Sequence, residues 1–387
     1  TVEARPPTPE AAEAGRRGRL RPVLAVVFAV SLGLFLYGWY LSRERPGVSG
    51  IPEGYYKGVD QSAYLHEAND LADANLPDAP EEYPYGLGYP ALAVPAILAG
   101  FDTDPFVMPN ALMWAACVTL VVAIGARIRT IGFGLAAGAL LALASPLLGQ
   151  MVYPWNNSVT VFAVAVAMAA AISTRAPTWR TGLAVGLAAA LALAARYVDV
   201  AFPLAIVGFA ALRDLRRWLV PLAVAGTVVV VAAVVVGITH DRVFGGFLTT
   251  PYALHRDDAG SDQALSAFRL EQAPGAGLAI FGTGSAGGKR MDAEPLLRLM
   301  PWAVLAPVGL LVAARRRDPL FWPLLGAAVT SGIGTILYLS FRGGAAASLP
   351  LGGLRYYGPW FAVWALLTAY AGAAFLDWAG GRSIPSV

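Results

Sequence analysis

The sequence contains little of what disulfide frameworks, metal sites and soluble surfaces are made from. Its 387 residues include one cysteine and three histidines, and only 14% of them are charged. The single cysteine, Cys117, allows no disulfide framework within the chain and no cysteine-based metal site. Because soluble domains are about a quarter charged, the low charge content excludes an ordinary soluble globular protein.

Apolar residues make up most of the chain instead. The hydrophobic fraction is 57% and the mean hydropathy is +0.58. Apolar runs of about 20 residues, the length that crosses a bilayer, recur along the chain. This pattern predicts an all-α, polytopic membrane helix bundle of about ten spans. The spans are expected near 23–41, 107–127, 131–149, 158–174, 181–196, 199–212, 218–238, 299–314, 320–341 and 356–377.

Arginine marks one side of these spans. Arginines precede the first span or lie in short links between later ones, among them Arg19, Arg21, Arg127, Arg129, Arg175, Arg180, Arg213, Arg216, Arg217, Arg315, Arg316 and Arg317. Short arginine-rich loops stay in the cytoplasm. The rule predicts cytoplasmic tails at 1–22, disordered by composition, and at 378–387, with a transmembrane domain at 23–377. Because the arginines are scattered along span ends, they do not form a nucleic-acid surface.

Two long links fall on the opposite side by the same rule. They are the outer loops 42–87 and 239–298, and they hold the two lysines of the chain, Lys57 and Lys289. The apolar run at 88–100 is short for a crossing. Counting it as a span would also move the next arginine-rich link outside, so we expect a juxtamembrane or re-entrant helix there.

The first outer loop carries an acidic and aromatic stretch. It reads GVDQSAYLHEA over 58–68 and YPYGLGYP over 83–90. A carboxylate near a lysine, a histidine and several tyrosines at a membrane surface is more typical of a site than of packing. Asp60 is therefore the candidate general base, with Lys57 three residues before it and Tyr64 four residues after it.

The order of these features resembles the polyprenyl-phosphate-sugar glycosyltransferases of the GT-C superfamily. The stretch around Asp60 is followed by Tyr83-Pro84-Tyr85-Gly86, which is similar to a Tyr-Pro-x-Gly element of that family. Arg342-Gly343-Gly344 together with 353–359 resembles a later Gly-Gly … Gly-x-Arg-Tyr-x-x-Pro element. The resemblance extends over most of the chain.

A third element departs from the family pattern. The segment 244–252 resembles the Gly-x-Pro-x-Thr-Gly-Tyr element of bacterial members, with Phe247 for the usual proline and Pro251 for the usual glycine. Asn156 and Asn157 stand where some members carry a second acid. They place in doubt a second catalytic carboxylate and any metal that it would hold.

The resemblance implies an all-α GT-C fold and an inverting transferase at the outer face of the plasma membrane. The enzyme would move a sugar from a polyprenyl monophosphate to an extracytoplasmic glycan or lipid acceptor, with Asp60 as the general base. It requires no cofactor; a divalent cation is compatible with this chemistry, although no metal-ligand pattern indicates one.

Other site residues follow from the same resemblance. Arg355 is the candidate for binding the donor phosphate, because a charge at a span end is costly unless it is paired or functional; an interfacial anchor is the alternative. Lys57 is the second choice. Contacts with substrate are expected from Tyr64, His66, Tyr85, Tyr252, His255 and Tyr356. Arg196 and Asp199 flank a tight outer turn, where they either pair with each other or contribute to the site.

Two other functions fit a polytopic chain. One is a transporter or flippase for a lipid-linked sugar, and the other is a non-catalytic partner subunit. A transporter should carry ionisable groups or broken helices near the bilayer midplane, whereas these span centres have almost no charge. The bias toward arginine, alanine, glycine and valine is typical of a GC-rich bacterial genome and favours cell-wall biogenesis. The identity of the sugar does not follow from these residues.

Overall fold

The chain forms a bundle of helices. The computed structural model describes residues 9–42, 59–75, 86–102, 104–144, 148, 151–173, 177–249, 285–286, 289–290, 300–316, 321–330 and 358–380. The helices are α1 (Pro9–Ser42), α2 (Val59–Ala72), α3 (Val94–Leu98), α4 (Val107–Ile128), α5 (Ile131–Ala142), α6 (Asn157–Ser173), α7 (Trp179–Ala195), α8 (Ala201–Ala211), α9 (Leu215–Phe244), α10 (Ala306–Arg315), α11 (Phe321–Thr330) and α12 (Gly358–Ala379).

Short elements connect some of the helices. Three 3₁₀ turns lie at Pro90–Leu92, Tyr197–Val200 and Pro301–Leu305. Within the long link that precedes α10, β1 (Ser285–Ala286) pairs with β2 (Lys289–Arg290) in an antiparallel two-stranded hairpin.

Every apolar segment predicted as a span contains a helix. Four of these helices, α1, α4, α9 and α12, are long and apolar enough to cross a membrane, and the others are shorter. In the most apolar stretches of α1 and α9 only 11% of the residues are buried, against 67% in α4 and 72% in α12. Apolar surface of this extent is typical of contact with lipid. The chain is a multi-pass membrane protein with α4 and α12 in its interior.

Two helices are longer than the sequence predicts. α1 begins at Pro9, inside the tail expected to be disordered, because the run Glu10–Gly15 is rich in the strong helix formers alanine and glutamate. α9 continues past 238 to Phe244, inside the predicted outer loop. It ends at Gly245, whose φ of 72° is the left-handed conformation that stops helices. The polar residues before Gly245 do not interrupt the helix.

The apolar run at 88–100 does not cross the bundle. It forms the Pro90–Leu92 turn and the five-residue helix α3. Both are far shorter than the roughly 20 residues that a spanning helix needs. The prediction that this run is not a span holds, although the structure has two short helical pieces where one juxtamembrane or re-entrant helix was expected.

Small residues allow the helices to pack closely. A Cβ atom at Gly134 in α5 would collide with the carbonyl of Val122 in α4, and one at Gly309 in α10 would collide with the carbonyl of Leu367 in α12. Such close backbone contacts are common between membrane helices, where burial of apolar surface contributes little to association. Around these contacts one large core contains Trp114 and Phe361.

Candidate active site

The helix α2 presents the candidate base at its first turn. Asp60 is the second residue of α2 and is partly buried. A carboxylate at this position is stabilised by the positive end of the helix dipole. Asp60, Tyr64 and Glu67 are spaced by four and then three residues, so they lie along one face of α2.

Tyr64 lies in the packed interface beneath Asp60. It is 1% exposed and meets the ring of Tyr89 edge-on, with 5.0 Å between the ring centroids. Tyr89 in turn stacks on Phe106 at 4.8 Å. Aromatic pairs at these separations stabilise packing beyond their buried area. In this structure Tyr64 therefore supports α2, and its expected contact with substrate stays a prediction.

His66 lies on a more exposed side of the same helix. Its Nε2 atom is 3.5 Å from the Asp70 carboxylate one turn later, and more than half of its side chain is exposed. It is open to solvent, as a substrate-binding role needs, but the structure does not bring it onto the face that carries Asp60.

Glu67 is an acidic residue to which the sequence analysis gave no role. Its side chain is fully buried on the Asp60 face of α2. Buried carboxylates are rare because desolvation disfavours the charged form. The available signal was its spacing of seven residues from Asp60, which two helical turns place on one side.

A buried amide joins three segments next to α2. Asn110, in the first turn of α4, is fully buried. Its Nδ2 group donates to the hydroxyl of Tyr89 at 3.1 Å and to the carbonyl of Tyr153 at 3.4 Å. Burial also raises the pKa of the Tyr153 hydroxyl.

A second set of buried polar contacts is centred on Asp199. This carboxylate is 1% exposed, accepts a hydrogen bond from Thr160 and lies 3.7 Å from the Nε atom of Arg196. The structure thus confirms that Arg196 and Asp199 pair with each other. Asn156 donates to the carbonyl of Ala195 at 3.4 Å, so it joins the start of α6 to the end of α7 at the same junction.

An apolar cavity lies beside this junction. Its volume is about 400 Å³, and it lies between Leu71 at the end of α2, Gly88, the end of α7 and the last turns of α9. Its polar groups include His240, whose Nε2 is 2.9 Å from the Tyr197 hydroxyl, and Arg242. The 30 residues of α9 are about 45 Å long, more than the bilayer core requires, so these side chains extend toward its surface.

These contacts define one end of the bundle, which we call the Asp60 end. It comprises α2, residues 86–98, the start of α4, the start of α6, the end of α7 with the Tyr197–Val200 turn, and the end of α9. These segments are joined by Tyr89–Asn110, Asn110–Tyr153, Asn156–Ala195, Gly88–Ala194 and Tyr197–His240. Residues distant in the sequence meet here.

The opposite end of the bundle, the arginine end, has different chemistry. Arg129, just after α4, forms an ion pair with Asp377 near the end of α12. The guanidinium of Arg316 lies 5.5 Å from the centre of the Tyr370 ring. Asn110 and Arg129 are at opposite ends of α4, so the helix itself separates the two sets of contacts.

The remaining site candidates lie outside the described residues. They are Lys57, Tyr85, Tyr252, His255, Arg355 and Tyr356. Among the described residues, no three histidine, cysteine, aspartate or glutamate side chains are grouped as a metal site would need.

Among solved structures, the chain is similar over most of its length to a lipid-bound membrane protein. That protein is ArnT from Cupriavidus metallidurans, whose crystal structure bound to undecaprenyl phosphate matches this chain with a TM-score of 0.56 and 16% sequence identity. The match covers 93% of this chain and 64% of that one. At this identity the likeness concerns the fold, and it supports the GT-C-like fold expected from the sequence motifs. No family model and no curated protein matches the sequence.

Proposed function

We propose that this protein is a membrane glycosyltransferase of the GT-C type with its active site at the Asp60 end. The observation that carries the proposal is the position of Asp60. A partly exposed carboxylate begins a short helix at the end of the bundle opposite Arg129 and Arg316, in a fold similar to that of a protein solved with undecaprenyl phosphate.

In the proposed reaction Asp60 accepts the proton of an acceptor hydroxyl. The hydroxyl oxygen forms a bond to the anomeric carbon of the donor sugar, while the bond from that carbon to the lipid phosphate breaks. Attack opposite the leaving phosphate inverts the configuration at the anomeric carbon. We assign the phosphate to Arg355 and Lys57, because charged donors stabilise the negative charge that develops on it. The reaction needs no cofactor.

The cavity beside α9 suits the lipid part of such a donor. Its lining is mostly apolar, and Val235 and Ile238 are 59% and 47% exposed on the flank of α9 that faces lipid. A volume of about 400 Å³ is within the range of ordinary ligand sites. We therefore assign the polyprenyl chain to this cavity, with its phosphate toward the membrane surface.

Active-site orientation is part of the same proposal. We infer that the Asp60 end faces outward and the arginine end faces the cytoplasm, since short arginine-rich links stay inside. The acceptor is then an extracytoplasmic glycan or lipid of a bacterial cell envelope. In the described spans the ionisable residues lie near helix ends, which favours an enzyme over a transporter.

The decisive experiment measures sugar transfer by the purified protein. Polyprenyl phosphates carrying labelled arabinofuranose, mannose or aminoarabinose are incubated with the protein and an envelope acceptor fraction. We expect transfer from one donor and a decrease of about 10²–10⁴ in rate for Asp60→Asn. Asp73→Asn, at an exposed position just after the same helix, is the matched control and should keep its rate.

Two results would count against the proposal. Near-normal transfer by Asp60→Asn would remove Asp60 as the base. A wild-type protein that moves labelled lipid across liposome membranes, at a rate insensitive to Asp60→Asn and without sugar transfer, would indicate a flippase instead.

A further inference from the structure

The orientation of α2 depends on its tertiary packing. Within the described part of the chain, this helix packs mainly against α3 and the Pro90–Leu92 turn. It is a short helix outside the spans, and helices of about 14 residues are marginal without tertiary packing. The direction in which Asp60 points therefore depends on what holds that neighbouring segment.

Tyr89 connects α2 to this neighbouring segment. Its ring meets Tyr64 edge-on at 5.0 Å and stacks on Phe106 at 4.8 Å. Tyr64 is one turn after Asp60 on the same face. A rotation of the Tyr89 ring would therefore change the packing of Tyr64 and, with it, the direction of the Asp60 side chain.

Asn110 fixes the polar end of Tyr89. Its amide donates to the Tyr89 hydroxyl at 3.1 Å and to the Tyr153 carbonyl at 3.4 Å. Asn110 and Tyr89 are both fully buried, and a hydrogen bond in such low-dielectric surroundings is stronger than one in water. An amide fully buried in the first turn of a membrane helix is costly unless it serves a purpose.

We propose that Asn110 is a positioning residue for Asp60, acting through Tyr89 and Tyr64. Asn110 does not contact substrate; it holds the Tyr89 ring, which holds the face of α2 that carries the base. This inference rests on the proposed function for its effect on catalysis. Its structural part, that Asn110 and Tyr89 set the orientation of α2, does not.

Two substitutions, one more severe than the other, test whether Asn110 positions Asp60 through Tyr89. Asn110→Leu keeps the approximate volume and removes both hydrogen bonds, and Tyr89→Phe removes one hydroxyl while keeping the ring. We expect kcat to fall by about 10–100-fold in Asn110→Leu, since misplacement by about 1 Å can cost 10²-fold. For Tyr89→Phe we expect kcat to fall by about 3–10-fold, which corresponds to the loss of one hydrogen bond. KM for the donor should stay within about twofold, because neither residue holds it.

A double variant and a control sharpen the test. Asn110→Leu with Tyr89→Phe should be no slower than Asn110→Leu alone, because both changes remove the same interaction. Thr119→Val is the matched control: Thr119 lies deeper in α4 and donates to the carbonyl of Ala115 in its own helix. It should leave kcat unchanged.

A spin-label measurement tests the same proposal without relying on activity. Labels at Ser62→Cys on α2 and Leu376→Cys on α12, in a Cys117→Ala background, report the distance between α2 and the opposite end of the bundle. Both positions are exposed. In Asn110→Leu and Tyr89→Phe we expect a shifted or broader distance distribution, and in Thr119→Val an unchanged one.

The outcomes separate the two claims. Unchanged distance distributions in both well-folded variants would overturn the positioning role, whatever the activity. A changed distribution with unchanged kcat in an active enzyme would overturn it as well. If wild-type protein transfers no sugar while the distribution still changes, the proposed function fails and the structural part of the inference stands.

Discussion

The two ends of the bundle hold their carboxylates in different surroundings. At the Asp60 end, the Asp199 and Arg196 side chains are 1% and 12% exposed, and Thr160 donates to the same carboxylate. At the arginine end, Asp377 is 7% exposed, but its partner Arg129 is 35% exposed. A buried pair holds two charges that are costly to separate, whereas a partly solvated pair is screened by water.

The difference in burial agrees with the role proposed for each end of the bundle. Buried polar networks hold their members in one arrangement when every group is satisfied. The Asp60 end contains several such contacts, among them those of Asn110 and Asp199. In the proposed orientation the arginine end needs only to stay at the cytoplasmic surface, which exposed or half-exposed arginines accomplish.

The largest expected effect is all-or-none, and it tests which side of the membrane each end of the bundle faces. In a Cys117→Ser background, Ser62→Cys should react with a membrane-impermeant thiol reagent in intact cells. Arg217→Cys, at the start of α9 with 67% of its side chain exposed, should react only after lysis. Labelling of position 217 in intact cells would reverse the orientation and contradict the proposed placement of the two ends.

The next effect concerns the buried ion pair. Arg196→Leu leaves the Asp199 charge uncompensated and should lower the free energy of unfolding by about 3–5 kcal/mol. Chemical unfolding in detergent, followed by circular dichroism, measures it. Asp199→Asn in the same background should recover part of this loss, since the buried charge is then gone. A loss below 1 kcal/mol would mean that this junction does not depend on the pair.

A smaller effect is expected for binding of the donor. Arg355→Ala should weaken polyprenyl-phosphate binding by about 10–100-fold, the range of a charged hydrogen bond, and Arg355→Lys should recover it in part. Calorimetry with polyprenyl phosphate measures the affinity. Lys57→Ala in the same assay separates the two candidates. Unchanged affinity in Arg355→Ala would leave Arg355 as an interfacial anchor.

The smallest effect belongs to the arginine end. Arg129→Leu should lower the free energy of unfolding by about 1–2 kcal/mol, less than Arg196→Leu, because Arg129 is partly solvated. The rate of sugar transfer should be unchanged. A loss of activity with intact folding would indicate that this end takes part in the reaction.

Local patterns predicted a large part of the fold. Helices lie at every predicted span because apolar length is a property of consecutive residues. The start of α5 follows from Thr130, whose hydroxyl accepts the Phe133 amide at 3.1 Å, and that of α9 from Asp214, which caps the Arg217 amide. The helix α2 was not predicted from the sequence. It is only weakly amphipathic and stands among polar residues, so the helical repeat of apolar residues gave little signal.

The candidate site was predicted less completely. Asp60 was selected from its order along the chain, and Arg196–Asp199 from their spacing of three residues. Asn110 and Glu67 were not selected. Their importance depends on burial and on partners such as Tyr89 and Tyr153, which lie 21 and 43 residues from Asn110. The repeat of residue types within one helix cannot predict contacts between residues that are so far apart in the sequence.

Sequence alone determined that this chain is a multi-pass helical membrane protein with arginine-rich short links, because hydrophobic length and charge position are properties of consecutive residues. The tertiary structure decided which side chains meet. It placed Tyr89 between Tyr64 and Asn110, Thr160 on Asp199, and a cavity beside α9. These contacts arise where close-packed helices cross, and their positions depend on the packing of the whole bundle rather than on any one segment.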